Sequence, residues 1–189
     1  MTDRLEVGQF APLSGLEGTW LHRPPRFEDP RGDTGPVLVD ADWRAFGWRG
    51  FIQENQSRTP NAGVIRGLHF QSGDHAQARI VRVVQGAAYS VALDPRPESP
   101  TFGRHAGAQL SARGGTLMFV PAGLAHGLQV LEPDTIVCWA TDHPFTPIAR
   151  GGVVWNDPSA AIAWPITASV SVSDADQALP RLTDLERGR

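Results

Sequence analysis

The chain is predicted to be an all-β domain of jelly-roll type, with an N-terminal arm and a short C-terminal extension. Three observations carry that expectation. Between residues 46 and 142, short strand-like apolar runs recur about every ten residues, each bounded by Gly, Pro, Asn or Asp. No stretch in that region keeps a 3.6-residue apolar period long enough to make a helix of ordinary length. The 189 residues show no internal repeat and no low-complexity tract, which suits one domain over 1–189 with a core at about 20–166 and a polar tail from about 170.

Taken in order, residues 1–24 are punctuated by Pro and Gly and read as an arm or short strand. Residues 24–32 read as a loop, because Pro fixes φ and Gly permits a turn. Residues 50–55 form the first short strand, and 57–63 a loop holding Pro60 and Gly63. A strand over 64–70 follows. Strict alternation would set Ile65, Gly67 and His69 on one face, with Val64, Arg66, Leu68 and Phe70 on the other; Gly67 marks a bulge able to re-aim a side chain. Further strands are expected at 77–84, 87–94, 108–110, 116–120, 127–131 and 135–141, with a Pro-rich turn region at 95–103. Residues 180–185 suit a short helical turn with Pro at its first position.

Composition narrows the function. A net charge of −3 gives no global basic field for nucleic acid, although local arginine clusters can still hold a small anion; every basic residue other than histidine is Arg. The single cysteine, Cys138, excludes an intrachain disulfide and fits a reducing cytoplasm. No apolar leader segment and no run of 18 apolar residues is present, so neither a secretory signal nor a membrane-spanning helix is expected.

The stretch Arg66-Gly67-Leu68-His69-Phe70-Gln71 places a cation and an imidazole three residues apart. Histidine suits proton abstraction near neutral pH, and Asp157, in Trp155-Asn156-Asp157-Pro158, is a candidate carboxylate to orient it. A strand histidine can equally be structural. Arg66 and Arg79, if both point inward, require an anion such as a diphosphate or a developing enolate oxygen; if outward, they are ordinary surface charges. Cys138 is either a reactive thiol or a small buried hydrophobe. Phe27 and Arg31 are an aromatic platform and a phosphate contact, or else a packed loop residue and a solvated charge. The scattered His69, His75 and His126 do not make a metal set, and no metal or other cofactor is expected. No phosphate-binding glycine loop, dinucleotide fingerprint or serine nucleophile elbow occurs.

Several pieces, in order, resemble one family. They are Phe27-x-Asp29-x-Arg31-Gly32, Phe51-Ile52-Gln53-Glu54-Asn55-x-Ser57, Gly63 to Gln71, Ala76-Gln77-x-Arg79-x-Val81-Arg82-Val83, Ser99-Pro100-Thr101-Phe102-Gly103, Pro121-x-Gly123-x-Ala125-His126-Gly127, Thr141-Asp142, and Trp155-Asn156-Asp157-Pro158 with Ile162-x-Trp164-Pro165. The stretch from Gly115 to His126 also resembles the second motif of cupin barrels. The set resembles the dTDP-4-dehydrorhamnose 3,5-epimerase family over roughly residues 20–166. The resemblance implies a cofactor-free cupin jelly roll, usually a homodimer, acting on a nucleotide-linked 4-keto-6-deoxy sugar. It implies a base at His69 paired with Asp157, and nucleotide or diphosphate contacts at Phe27, Arg31, Gln53, Asn55 and Arg66. His126 falls on another active-site position. There are departures: Arg79 stands where the family has Lys, Ser90 stands where it has Asp, which implies loss of a second polar pair with His126, and the family's tyrosine acid is placed at Cys138. An acidic residue expected soon after Gly32 is missing. These changes imply altered or single-carbon epimerisation. Two alternatives remain: a cofactor-free isomerase or cyclase of a specialised metabolite on the same barrel, or a non-catalytic homologue.

Overall fold

Strands alternating apolar and polar residues pair into two facing sheets, and three apolar clusters follow from that alternation. In the computed structural model, residues 5–187 are described; the ends of the expected arm and tail, 1–4 and 188–189, lie outside the described residues. The arm supplies β1 (Phe10–Pro12) and β2 (Trp20–His22), followed by β3 (Phe27–Asp29), β4 (Gly32–Thr34) and a 3-10 helix at Asp40–Phe46. The barrel strands are β5 (Gln53–Thr59), β6 (Val64–Gln71), β7 (Arg79–Gln85), β8 (Ala87–Leu93), β9 (His105–Ser111), β10 (Leu117–Val120), β11 (Ala125–Val130) and β12 (Thr135–Thr141). The chain continues through β13 (Arg150–Gly152), β14 (Ser171–Val172), α1 (Asp174–Gln177) and α2 (Leu182–Arg187).

One sheet has the order β1-β2-β10-β7-β12-β5; the other runs β13-β6-β11-β8-β9, with β14 parallel to β6. This is the jelly roll that the pattern predicts. Val81, Val83, Met118 and Val137 of the first sheet meet Ala88, Ala92, Leu128 and Val130 of the second between the layers. On the outer face of the first sheet, Ile80, Leu117 and Phe119 are covered by Trp43 and Trp48. On the outer face of the second, Ile65, Leu68, Val91 and Leu93 are covered by Val153, Trp164 and Leu182 from the C-terminal segment. Each Val, Leu, Ile, Phe or Met side chain among these contributes about 1.5–3 kcal/mol when fully buried.

Two expectations are corrected. The strand expected at 50–55 begins at Gln53 and continues to Thr59, because β12 pairs with it along its whole length. A continuous ladder partner satisfies the backbone where the sequence suggested a loop. Residues 27–34 form a β-hairpin rather than an irregular loop, with Phe27 opposite Thr34.

Strand β6 carries the feature that matters for function. His69 is paired with His126, but Arg66 with Leu128, so three steps along β6 match two along β11. This bulge puts Arg66 and His69 on one face, where strict alternation would separate them, while Ile65 and Leu68 turn to the outer core. Gly67 makes the crossing possible. Its φ is +113°, and a Cβ there would meet Gly127 Cα at 2.7 Å and the His126 carbonyl oxygen at 2.8 Å.

Candidate active site

Between the sheets lies a cavity of about 470 Å³. β6 contributes Arg66, His69 and Gln71; β11 contributes His126 and Leu128; β7 contributes Arg79; β12 contributes Trp139; β5 contributes Gln53, Asn55 and Ser57. Arg150, Phe145, Ser173 and Asp176 complete the lining from the C-terminal third.

His69 Nε2 stands 2.7 Å from Asp176 Oδ1. A carboxylate oxygen only accepts, so Nε2 carries the proton and Nδ1 keeps the free lone pair. The other oxygen, Asp176 Oδ2, accepts the Gly67 backbone N–H at 2.9 Å. Asp176 is held by α1, whose N-cap Ser173 accepts the Asp176 N–H. Burial pushes His69 below the ordinary imidazole value; Asp176 works in the opposite direction, and the charges of Arg150 and Arg79 add to the lowering.

Arg79 is buried without a carboxylate partner among the described residues. Its Nη1 donates to the His69 carbonyl at 2.9 Å and its Nη2 to Gln77 Oε1 at 3.3 Å, while Nε has no partner. Burial pushes this guanidinium down to about 10. Ser57 Oγ is likewise buried and unpartnered. His126 Nε2 lies 2.8 Å from Ser90 Oγ, and burial together with the Arg79 and His69 charges holds His126 down to about 3. His126 is therefore neutral at pH 7. Arg66 donates to Thr59 Oγ1 from Nε and Nη2, at 3.3 Å and 3.2 Å. Gln53 Nε2 donates to Asn55 Oδ1 at 2.6 Å, and Gln53 Oε1 accepts the Phe145 N–H. Among the described residues, no group of three or more His, Cys, Asp or Glu is arranged to hold a metal ion.

The family model described as dTDP-4-dehydrorhamnose 3,5-epimerase matches residues 14–184. The chain belongs to the dTDP-4-dehydrorhamnose 3,5-epimerase family. The enzyme of that name from Sinorhizobium fredii is 37% identical over 182 residues, covering 96% of this chain and 93% of its own length. The solved structure of the Mycobacterium tuberculosis RmlC epimerase superposes with a TM-score of 0.89 at 33% identity, covering 95% of this chain and 91% of that one. ChmJ, a 3′-monoepimerase from Streptomyces bikiniensis solved in complex with dTDP-quinovose, gives 0.85 at 30% identity, with coverage of 93% and 89%.

Within this epimerase-family fold, His69, Arg79, Gln53, Asn55, Arg66 and His126 all reach one cavity. Three expectations change. Asp157 does not meet His69. Its Oδ1 accepts the backbone N–H groups of Ser159 and Ala160, and its Oδ2 accepts that of Leu182 at 2.8 Å, so it ties a turn to α2. Cys138 does not line the cavity. Directly paired strand residues share a face, and Cys138 is paired with Arg82 and Gln56, with Sγ 3.6 Å from Gln56 Oε1. Burial pushes its thiol up. Trp139, paired with Val81 and Asn55, is the β12 side chain that enters the cavity. Ser90 keeps a hydrogen bond to His126, where a lost pair was expected. Phe27 and Arg31 lie on the exposed β3–β4 hairpin outside this cavity; Phe27 is 64% exposed and Arg31 is ion-paired to Asp29 at 2.6 Å.

Sequence reasoning missed Asp176, Arg150 and Trp139. The pattern Ser173-x-x-Asp176 is a helix-capping signal from which a helix start in the tail could have been read. It carried no sign that the carboxylate would reach β6. The single tyrosine, Tyr89, packs edge-on against Trp164 and does not line the cavity, so no phenol is present there.

Proposed function

We propose that this chain removes a proton beside the keto group of a nucleotide-linked 4-keto-6-deoxy sugar and so epimerises C3, C5 or both. The carrying observation is a single cavity that holds the His69–Asp176 pair together with a buried arginine whose Nε is unpartnered. His69 Nδ1 takes the proton, and Asp176 stabilises the resulting imidazolium. The carbanion delocalises onto the 4-oxygen as an enolate, for which Arg79 supplies a preorganised positive charge. Arg66, with Gln53 and Asn55, faces the nucleotide diphosphate. His126, neutral at pH 7 and held by Ser90, positions the sugar by hydrogen bonding. The dTDP-quinovose complex of the related monoepimerase supports a dTDP-linked substrate.

Inversion requires a proton from the face opposite the base. The β5 and β12 wall presents Gln53, Asn55, Ser57 and Trp139, none with a phenol's acidity. Proton return from water therefore makes epimerisation slow or confines it to one carbon. In D2O, NMR of dTDP-4-keto-6-deoxyglucose should show deuterium entering C3 or C5. His69→Ala should slow exchange by roughly 10²–10⁴-fold. Asp176→Asn should slow it strongly, and Asp157→Asn should leave the rate per folded molecule nearly unchanged. Trp139→Tyr should raise exchange at the second carbon. No exchange with any 4-keto-6-deoxy sugar, together with no dTDP binding, would sink this reading and favour an isomerase of another metabolite.

The same reading places the chain in a homodimer, with Phe27 and Arg31 reaching the second copy's cavity. Exposed Phe27, Phe51 and Ile52 support such an interface. Light scattering should give a dimer mass, and Arg31→Ala should weaken dTDP binding although Arg31 lies outside its own cavity.

A further inference from the structure

Arg150 stands on β13, beside β6 and opposite Gln71, and no feature of the proton-transfer scheme above uses it. Its Nη2 lies 3.3 Å from His69 Nε2 and 3.7 Å from Asp176 Oδ1. Because Nε2 carries a proton toward Asp176, the guanidinium cannot donate to that nitrogen. Its electrostatic partner is the Oδ1 atom that also receives the His69 proton. Among the described residues, Arg150 has no other carboxylate within ion-pair distance.

The cavity therefore holds three guanidinium groups, Arg66, Arg79 and Arg150, and a single carboxylate, Asp176. The charged and titratable groups around His69 are Asp176 from α1, Arg150 from β13, Arg79 from β7 and His126 from β11. Only Asp176 favours an imidazolium. Left alone with His69, a carboxylate at 2.7 Å would stabilise the protonated ring before substrate arrives, and a protonated ring takes no further proton. A cation that shares Oδ1 weakens that preference while keeping the carboxylate in place.

We infer that Arg150 is a positioning residue for the base: by sharing Asp176 Oδ1 with His69, it fixes the ring with Nε2–H toward the carboxylate and keeps Nδ1 unprotonated and available. The role rests on the reading of His69 as the base, but its test does not need turnover. The burial and electrostatic lowering of His69 agrees with it.

The test is an NMR titration of the His69 imidazole, ¹⁵N-labelled in the full chain, for wild type, Arg150→Gln and Arg150→Lys. Arg150→Gln should raise the His69 midpoint by about half a pH unit or more. The acid limb of kcat/KM should move up by the same amount, which is roughly a threefold loss of rate on that limb. Arg150→Lys should restore most of the shift, and dTDP affinity by calorimetry should change less than about twofold. If Arg150→Gln does not fold, Arg150→Met, which keeps an unbranched stem, gives the same readout. An unchanged midpoint overturns the inference, and weakened dTDP binding with an unchanged midpoint would make Arg150 a phosphate contact instead. A shifted midpoint in a protein whose exchange survives His69→Ala would overturn the base assignment and with it the positioning role, leaving only an Arg150 that lowers the His69 imidazole.

Discussion

His126 is buried, and among the described residues the only hydrogen-bond partner of its ring is Ser90 Oγ. A neutral imidazole satisfied by a neutral hydroxyl suits that setting; a charged one does not. With His126 held down to about 3 and His69 below its ordinary value, the folded chain binds fewer protons than the unfolded chain once pH drops beneath the free imidazole range. The linkage sign follows: stability from these groups is complete above about pH 6.5 and is lost as pH falls toward each folded value. Each histidine weakens the fold by at most about 1.4 kcal/mol per pH unit in that window. Urea unfolding at pH 7, 6 and 5 should show a falling midpoint, and His126→Gln should flatten the slope. A midpoint that rises on acidification would contradict the neutral, enclosed state of His126. Single side chains such as His69, Arg66 and Arg79 were readable as candidates from residue type alone. The state of His126 was not, because protonation depends on burial by distant strands.

At the scale of elements, β6 and β12 show opposite outcomes of one rule. Side chains alternate with period two, so a shift of one residue moves a side chain to the other face. Gly67 flagged a bulge in β6, and the bulge is present. Which side chains it would re-aim depended on the pairing with β11. In β12 the pocket-facing aromatic position is Trp139 rather than Cys138, and only pairing with β5 and β7 fixes that choice. Gly67→Ala tests the bulge directly. The added Cβ meets backbone rather than a movable side chain, and φ of +113° disfavours any L side chain. Destabilisation of at least about 1–3 kcal/mol is expected, with exchange activity falling more steeply than folded fraction, because Gly67 N–H also holds Asp176. Denaturant titration alongside the exchange assay separates the two effects; full activity in a stable Gly67→Ala chain would refute the argument.

At the scale of the molecule, the C-terminal segment is part of the barrel rather than a tail. It covers the outer face of one sheet through Trp164 and Leu182, and it delivers Asp176 into the cavity. Leu182 is 1% exposed, so Leu182→Ala should cost about 2–5 kcal/mol in chemical denaturation. Truncation after residue 170 should abolish exchange, since it removes the carboxylate partner of His69 together with that cover. Retained activity in the truncated chain would show that Asp176 is dispensable.

By itself the sequence determined the jelly-roll class, the succession of strand segments along the chain, the candidate histidine and arginines, and the family. Those properties are written locally, in periodicity, turn residues and short motifs. Only the tertiary structure decided that His69 pairs with Asp176, 107 positions away, rather than with Asp157. Both carboxylates are buried, and both follow short turn signals. Their roles divide according to where chain closure delivers each one: Asp157 onto the backbone N–H groups of its own turn and α2, Asp176 onto β6. No local pattern encodes that contact, because it is set by the packing of the last helices against a sheet formed a hundred residues earlier.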